Sequence, residues 1–421
     1  LLTMTVTKPY ADSTVAKILD LVENASSQKA PTENFITRFA KVYTPIVVGF
    51  AVLLAVVPPL LLGASLTDWL YRALIFLVIS CPCALVISIP LGFFAGIGTA
   101  SKNGILVKGS NYLEALNDVQ TVVFDKTGTL TKGTFTVTTI QAVNGDQQRL
   151  LQLAALAEQS SNHPIAQSIL SANQTPLTES VTQVSEIAGN GIQAQLAGQL
   201  LQVGKASWLA QTGLTPSTPT EIGTAVHVAY AGQYLGYLVI SDTVKADAKA
   251  AITQLKQAGI HRTIMLTGDN TAVAQQVSHS LGIDHYQSEL LPQDKVTAVA
   301  NLTADRTSNG KVAFVGDGIN DTPVLARADV GVAMGGLGSD AAIEAADIVL
   351  MSDEPTKLAT AIQIARFTRK IVWQNILFAL AVKAIFLILG AFGIATMWEA
   401  VFADVGVTLI AIMNALRIMK R

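Results

Sequence analysis

The sequence has 421 residues, of which 50% are hydrophobic and only 14% are charged, and its formal net charge is −2. Soluble domains carry about 25% charged residues, so this composition indicates a chain that is part membrane-embedded and part soluble. The net charge is close to zero, whereas nucleic-acid-binding proteins are typically strongly basic. We therefore expect no nucleic acid as a partner.

Four hydrophobic segments form two pairs along the chain, at about 42–62 and 69–98 and at about 371–391 and 394–416. Each is long enough to cross a hydrocarbon layer of about 30 Å. The connectors within the pairs, GASLTD and FGIAT, contain no Lys or Arg. Basic residues gather at the opposite ends, at Arg38, Lys41, Lys102, Lys108, Arg366, Arg369, Lys370, Arg417, Lys420 and Arg421. The positive-inside rule then predicts two hairpins in the cell membrane and a large cytoplasmic insert over 102–368.

The insert begins with a strand, TVVFD at 121–125, and then shows two different patterns. From about 140 to 235, a helix at 147–159 precedes Gly-rich turns and short alternating runs. After that, helices at 244–258, 271–281, 292–304, 320–327 and 339–346 alternate with apolar strands. We therefore predict an α/β fold, a doubly wound parallel sheet with an α+β domain inserted after its first strand.

Three aspartates, Asp125, Asp269 and Asp317, each follow one of these strands. Ligands of open parallel sheets bind beyond the carboxyl ends of the strands, so these carboxylates can converge on one site. The alternative interpretation is that each one only caps the helix that follows it.

The segment DKTGTLT at 125–131 places a carboxylate at a strand end, where it can act as a nucleophile toward a phosphoryl group. Together with TGDN at 267–270 and GDGIND at 316–321, it resembles the P-type ATPases, ion pumps that phosphorylate an aspartate from ATP. The resemblance implies a sheet like that of the haloacid dehalogenases. It extends over essentially the whole chain.

The resemblance implies that Asp125 is the phosphorylated nucleophile and that Asp125, the Thr127 carbonyl and Asp317 hold Mg²⁺. The other residues that it places at the phosphorylation site are Lys126, Thr127, Thr267, Gly268, Asp269, Lys295, Asn320 and Asp321. Without the family, Lys295 would be interpreted as a solvated helix lysine. Related phosphatases usually carry a second Asp, a general acid and base, at the position of Thr127. This chain lacks that group, and its absence favours a long-lived phosphoenzyme.

Two segments of the inserted region, EQSSNHPIA at 158–166 and GNGIQA at 189–194, resemble the nucleotide-binding domain of the heavy-metal-transporting (P1B) branch. The resemblance implies that Glu158, His163, Gly189 and Gly191 bind ATP. Considered alone, a Gly-x-Gly segment is more often a turn, and a His before Pro more often starts a helix.

Cys81 and Cys83, the only cysteines, lie in SCPCALVIS at 80–88. Their spacing does not suit a disulfide with each other, so we expect no disulfide framework. In a regular helix they would point about 200° apart. Pro82 removes a backbone hydrogen bond, and local unwinding lets both thiols face a soft metal ion. The alternative is two small apolar residues at a proline kink.

Two charged residues, Lys383 and Asp404, lie within predicted membrane spans, where charges usually serve function. A snorkelling lysine or a pair that serves only packing is the alternative. The Lys together with "DVG" resembles the zinc/cadmium/lead branch, which implies that Asp404 binds metal with Cys81 and Cys83 and that Lys383 is a counter-ion. The copper branch has Tyr-Asn, Met and Ser at places that hold Val382, Lys383 and Asp404 here.

The sequence thus predicts ATP-driven export of Zn²⁺, Cd²⁺ or Pb²⁺ through an aspartyl phosphate at Asp125, with ATP and Mg²⁺ as cofactors. We expect a monomeric pump in the lipid bilayer. A Cu(I) exporter, a membrane-tethered phosphatase of the haloacid dehalogenase type and a non-catalytic metal receptor are the alternatives.

We also expect a fragment, since the actuator domain with its Thr-Gly-Glu motif, the spans before it and an N-terminal Cys-x-x-Cys domain are not found. The predicted parts are a linker at 1–41, hairpins at 42–101 and 369–421, a phosphorylation domain at 102–140 and 237–368, and a nucleotide-binding domain at 141–236.

Overall fold

A computed structural model of the chain describes residues 31–161, 163–187, 189–219, 223–305, 310–317, 321–335, 340–391, 394 and 396–420. Most of the predicted linker lies outside the described residues, as does Asn320. The chain divides into two compact units, one formed by Leu1–Val123, Thr253–Arg262 and Val296–Arg421 and the other by Phe124–Ile252 and Thr263–Lys295. The six-part division drawn from the sequence stays a prediction.

The helices, numbered in chain order, are α1 Pro31–Leu62, α2 Leu66–Ser80, α3 Cys83–Lys102, α4 Ser110–Ala115, α5 Gln147–Glu158, α6 Pro164–Ala172, α7 Ala206–Gln211, α8 Ala248–Gln257, α9 Thr271–Leu281, α10 Pro292–Ala304, α11 Thr322–Leu325, α12 Asp340–Ala345, α13 Thr356–Ala391, α14 Met397–Val401 and α15 Val407–Leu416. The strands are β1 Ile105–Val107, β2 Val119–Asp125, β3 Thr131–Ala142, β4 Val181–Ile187, β5 Gly191–Leu196, β6 Gln199–Gly204, β7 Thr224–Tyr230, β8 Gln233–Val244, β9 Arg262–Leu266, β10 His285–Gln287, β11 Lys311–Gly316, β12 Val330–Met334 and β13 Ile348–Leu350.

The first unit contains four helical segments that are long and apolar enough to cross a membrane, as predicted: Lys41–Leu62, Leu66–Lys102, Thr356–Gly390 and Met397–Lys420. Large apolar side chains on them are exposed, with Leu60, Leu61 and Leu62 at 76–77%, as expected for residues that face lipid. Hydropathy marked only the apolar part of α13. This helix begins 15 residues earlier than the predicted span at 371, because its polar first turns continue the same helix.

The rest of the first unit is built on part of a sheet with the order β1-β13-β12-β11-β2. Strands β11, β12 and β13 are parallel, with Val315 opposite Val332 and Val332 opposite Ile348. Their residues are almost all buried, as in a sheet covered on both faces. Strand β1 is antiparallel to β13. The sequence analysis missed β1 because three residues give too short a pattern.

In the second unit, the sheet continues from the last residues of β2 to β9 and then to β10. Strands β9 and β10 are parallel to each other, with Ile264 opposite His285. Strand β10 was also missed. Strand β8 extends to Val244 and helix α8 begins at Ala248, so the prediction of a helix from 244 was wrong at its start.

The inserted domain, also in the second unit, is a six-stranded antiparallel sheet with the order β3-β8-β7-β6-β5-β4. Helix α5 packs its apolar face on this sheet, and the shared core includes Leu150, Leu153, Val203, Val228 and Leu238. The predicted class, a parallel α/β sheet with an inserted α+β domain and four apolar helices, is confirmed.

Candidate functional site

Asp125 ends β2 and is 5% exposed, so its carboxylate is largely removed from water. Lys295, in the first turn of α10, donates to Asp125 Oδ1 at 2.5 Å. Although the two residues are 170 positions apart, the fold gives the candidate nucleophile a cationic partner. Charge-assisted bonds of this kind are roughly twice as strong as neutral ones.

The segment after Asp125 is a tight turn rather than a regular helix, with Gly128 at φ +74°. This left-handed conformation favours glycine. Two residues that the sequence analysis did not select lie against the turn: Lys245 Nζ donates to Gly128 O at 2.8 Å, and Thr131 Oγ1 lies 3.0 Å from Lys126 O.

Lys126 contacts two carboxylates that lie far from it in the sequence. Its Nζ lies 2.5 Å from Asp269 Oδ2 and 3.8 Å from Asp242 Oδ2. Asp242 also accepts from Thr131 Oγ1 at 2.5 Å. Burial raises the pKa of Asp242, while Thr131 and Lys126 act in the opposite direction. An Asp at the end of the long alternating run of β8 was the signal that could have identified it.

The TGDN segment follows β9 and forms a turn with Thr267 2% exposed. Thr267 N donates to Gln287 O at 3.0 Å, and Asp269 N donates to Thr267 Oγ1 at 3.1 Å. Gly268 lies between them, and Asn270 caps α9 by accepting from Val273 N at 3.0 Å. The Thr267 hydroxyl is thereby held beside the strand end.

Asp317 and Asp321 belong to the first unit, where Asp317 directly follows β11 and Asp321 is 2% exposed. The predicted Mg²⁺ ligands Asp125, Thr127 and Asp317 therefore come from both units, and the Mg²⁺ site stays a prediction. Asn320 lies outside the described residues.

The four predicted nucleotide residues line one cavity of about 260 Å³ in the second unit. Glu158 ends α5, while Gly189 and Gly191 belong to the turn into β5. His163 is the N-cap of α6, with Nδ1 accepting from Ile165 N at 3.2 Å. It therefore both lines the cavity and starts a helix, the role that the alternative interpretation gave it. The sequence analysis missed two charged lining residues, Glu186 and Lys205.

Glu158 is 7% exposed. Burial raises the pKa of Glu158 to about 7, and the negative charge of Glu186 acts in the same direction. The cavity therefore contains a carboxyl group that is partly protonated at neutral pH.

Gly191 is required by backbone packing as well as by the cavity. At its φ of +151°, an added Cβ would lie 2.2 Å from Val203 O, whereas one at Gly189 would meet nothing within 4 Å. We expect Gly191→Ala to destabilise the nucleotide-binding domain by about 3 kcal/mol or more, from strain and overpacking. Gly189→Ala should cost about 1 kcal/mol, from its left-handed φ alone.

Thermal unfolding of the two glycine variants tests this difference. Equal losses at both positions would contradict the close approach of β5 and β6 at Gly191.

In the first unit, the CPC segment breaks the second membrane span. Helix α2 ends at Ser80, Cys81 is extended (φ −62°, ψ 123°), and α3 begins at Cys83. Ligand atoms of Cys81, Cys83 and Asp404 all lie within 4.8 Å of one another. The structure therefore brings together the three residues predicted to bind the transported metal. Asp404 lies in a π-helical turn, Phe402–Gly406, a feature frequent at functional sites.

Lys383, 4% exposed in α13, reaches the same point. Its Nζ donates to Ile79 O at 3.0 Å and to Cys81 O, and it lies 3.6 Å from Asp404 Oδ1. The ammonium thus satisfies carbonyl groups at the helix break and also faces the carboxylate. The contact with the carbonyls was not predicted, because hydropathy gives no information on which backbone atoms a buried lysine meets.

A family model described as haloacid dehalogenase-like hydrolase matches residues 119–329, which include β2 with its terminal aspartate, the inserted domain and β9 to β11. The sheet and the aspartate loop therefore define a hydrolase of this class.

Comparison with individual proteins places the chain in a narrower class of protein. The chain is 61% identical to the cadmium, zinc and cobalt-transporting ATPase of Bacillus subtilis, covering 99% of this chain and 60% of the relative. It is 56% identical to the zinc-transporting ATPase of Synechocystis sp., covering 100% and 58%. A crystal structure of a zinc-transporting PIB-type ATPase in the E2.Pi state aligns with TM-score 0.81 at 38% identity, covering 98% of this chain and 68% of that one.

The chain belongs to the PIB-type ATPases, which confirms the predicted family. It spans about three-fifths of the length of the curated relatives that it matches.

Proposed function

We propose that this chain forms the phosphorylated and metal-binding part of an ATP-driven exporter of Zn²⁺ and Cd²⁺, with Pb²⁺ as a further substrate. The observation that carries the proposal is the meeting of Cys81, Cys83 and Asp404 within 4.8 Å at a break between apolar helices. The names of the relatives, which transport zinc, cadmium and cobalt, support the same substrate class.

The chemical step is phosphoryl transfer to Asp125. A carboxylate oxygen attacks the γ-phosphorus of ATP, the new O–P bond forms, the bond to the bridging oxygen breaks, and ADP leaves. Lys295, 2.5 Å from Asp125, stays close enough to balance negative charge on the transferring group. Thr127 offers no carboxylate as an acid or base for rapid hydrolysis, so the phosphoenzyme persists long enough to drive movement.

The nucleotide cavity suits ATP, since open space faces the turn at Gly189 and apolar residues line the walls. Mg²⁺ prefers oxygen ligands, and Asp125, the Thr127 carbonyl and Asp317 would hold it. When bound, it offsets negative charge on the phosphates. Lys126, Thr267, Gly268, Asp269, Asn320 and Asp321 support this site in the proposal.

The transported ion is a substrate of the membrane site. Two thiolates and one carboxylate suit Zn²⁺ and Cd²⁺, whereas Cu(I) prefers sulfur alone. The carboxylate therefore favours divalent ions over the copper alternative. Lys383 acts as the counter-ion of Asp404 once the metal has left, which disfavours rebinding.

In the cell, the protein is a monomer with two hairpins in the cell membrane and cytoplasmic catalytic domains, divided into the six segments drawn from the sequence. Export, rather than uptake, follows if the metal enters from the side on which ATP binds.

Phosphoenzyme formation from γ-labelled ATP in the full-length gene product tests the function. We expect Zn²⁺ and Cd²⁺ to stimulate labelling and Asp404→Ala to abolish the stimulation. Asp68→Asn, which removes an exposed acid elsewhere in the membrane helices, should leave it unchanged. Stimulation by Cu(I) alone would indicate a copper pump, and no labelling under any metal would indicate a metal receptor. Fast metal-independent hydrolysis of p-nitrophenyl phosphate would indicate a phosphatase.

A further inference from the structure

A buried asparagine, Asn375 of α13, forms a polar link to α15. It is 2% exposed and lies in the apolar stretch of α13. Its Nδ2 donates to Ala411 O of α15 at 3.0 Å, and its Oδ1 accepts from Asn414 Nδ2 at 2.9 Å. Both ends of this amide are therefore bonded to the same neighbouring helix.

The orientation of the amide is fixed from the end of α15. Arg417, which directly follows that helix, donates from Nη1 to Asn414 Oδ1 at 2.8 Å. The guanidinium can only donate, so Asn414 presents its own Nδ2 to Asn375. A flipped Asn375 amide would bring two NH₂ groups together. The donor of Asn375 therefore faces the α15 backbone.

The contacts between α13 and α15 show that the two helices are antiparallel. Asn375 meets Ala411, whereas Lys383, eight residues further along α13, lies 3.6 Å from Asp404 Oδ1, seven residues earlier in the chain than Ala411. At a rise of about 1.5 Å per residue, these two stretches span about 12 Å and about 10.5 Å. The register that the amide fixes is thus the one in which Lys383 and Asp404 meet.

The contacts of Asp404 itself do not hold α15 in this register. Thr408 donates to Asp404 O, but both residues belong to the same helical segment. Asp404 Oδ1 is buried and accepts no hydrogen bond from the part of the chain that the structure describes. A slip of α15 by one residue along α13 would place Ala403 or Val405 where Asp404 now lies. The carboxylate is therefore positioned from elsewhere.

The third helix of the metal site, α3, packs at the level of Asn375. A Cβ added to Gly92 of α3 would lie 3.0 Å from Val372 Cγ2, one turn before Asn375, and 3.9 Å from Ile418 Cδ1, just beyond α15. Apolar contacts of this kind allow one helix to slide along another. A single buried asparagine, in contrast, can specify the register of packed helices.

We propose that Asn375 is a positioning residue for the transported metal, because its bond to Ala411 O sets the register of α15 and so places the Asp404 carboxylate beside the two thiols. This rests on the proposed metal site. Asn375 does not touch the ion, since it lies about 12 Å along α13 from the level of Lys383. Asn414 and Arg417 act by orienting its amide.

Equilibrium binding of Zn²⁺ and the visible absorption of bound Co²⁺, measured on the full-length gene product in lipid nanodiscs, test the inference. The bands of Co²⁺ depend on its ligands, so they report whether the carboxylate is bound. Asn375→Leu preserves the size of the side chain and removes both hydrogen bonds. We expect Zn²⁺ affinity to fall by about 10-fold or more, as for the loss of the ligand itself. The Co²⁺ spectrum should match that of Asp404→Asn.

A double variant separates positioning from general damage to the fold. If Asn375 acts through Asp404, then Asn375→Leu combined with Asp404→Asn should bind Zn²⁺ as Asp404→Asn does alone, because the two losses are not additive. Gln374→Leu is the matched control, since it removes an amide from the adjacent, exposed position of α13, whose contact with Asn414 Nδ2 is 3.4 Å long. It should leave the affinity and the spectrum unchanged.

A wild-type Co²⁺ spectrum in Asn375→Leu would overturn the inference, as would additive losses in the double variant. If Asn375→Leu does not fold, Asn414→Leu takes its place, because it changes a half-buried residue and keeps the bond to Ala411 O. It should shift the spectrum in the same direction by a smaller amount, and an unshifted spectrum would again overturn the inference.

The failure of the inference can be distinguished from that of the proposed function. If Asp404→Asn weakens Zn²⁺ binding and Asn375→Leu does not, only the positioning role is lost. If Asp404→Asn leaves Zn²⁺ binding unchanged, the proposed metal site itself fails, and the inference fails with it.

Discussion

Replacing Asp125 by Asn is expected to abolish the acid-stable phosphoenzyme, reducing label from γ-labelled ATP to background. The amide preserves the shape of the side chain but is not an effective nucleophile toward phosphorus. Asp125 accepts from Lys295 at 2.5 Å, so the same change also removes the charge that faces this ammonium. The loss of labelling must therefore be distinguished from a loss of stability.

A double-mutant cycle makes that distinction. Asp125→Asn, Lys295→Met and the combined variant are compared by thermal unfolding and by labelling. Contacting residues couple by about 0.5–3 kcal/mol, so the combined variant should be more stable than the sum of the single losses implies. It should still give no label. Lys295→Met alone should retain the nucleophile and lose about 10²–10³-fold in the labelling rate, the usual effect of removing one group that stabilises developing charge.

Labelling that survives Asp125→Asn would place the nucleophile elsewhere. Lys311→Met is the matched control for the lysine, since Lys311 begins β11 and belongs to none of the predicted sites. An equal loss of rate at Lys311 would show that the effect of Lys295→Met is not local.

Those parts of the fold that depend on local pattern were predictable. Helices α9 and α10 begin and end where the sequence analysis placed them, because a capping residue precedes one and a proline begins the other. The break at Pro82 was predictable for the same reason, since a proline acts on the residues next to it.

The partners of the site residues were not predictable, because they come from distant parts of the chain. Lys126 contacts Asp242 and Asp269, and nothing in DKTGT itself indicates this. The sequence analysis did not select Glu186, which the fold places in the same cavity as Glu158. A family motif identifies the groups that react, and tertiary packing determines which neighbours adjust their charge.

Lys383→Met is expected to lower metal-stimulated turnover by at least about tenfold while metal still binds. Methionine fills a similar volume but cannot donate to Ile79 O or Cys81 O, and it removes the positive charge 3.6 Å from Asp404 Oδ1. Removing one partner of a buried ion pair usually costs about 3–5 kcal/mol, because the remaining charge stays in a low-dielectric environment. In the proposed cycle a metal ion offsets that cost, so Zn²⁺ should bind at least as tightly as in the wild type and leave more slowly.

Asp404→Asn should have the opposite effect on affinity. It removes a ligand, so Zn²⁺ affinity should fall by about 10-fold or more, together with turnover. Equilibrium binding of Zn²⁺ and steady-state ATP hydrolysis, measured on both variants in lipid nanodiscs, separate the two roles. Lys370→Met, which removes an exposed cation of the same helix, is the control for general charge effects. If both variants weakened binding equally, Lys383 would serve only to hold the helix break in place, and a role in metal release would be excluded.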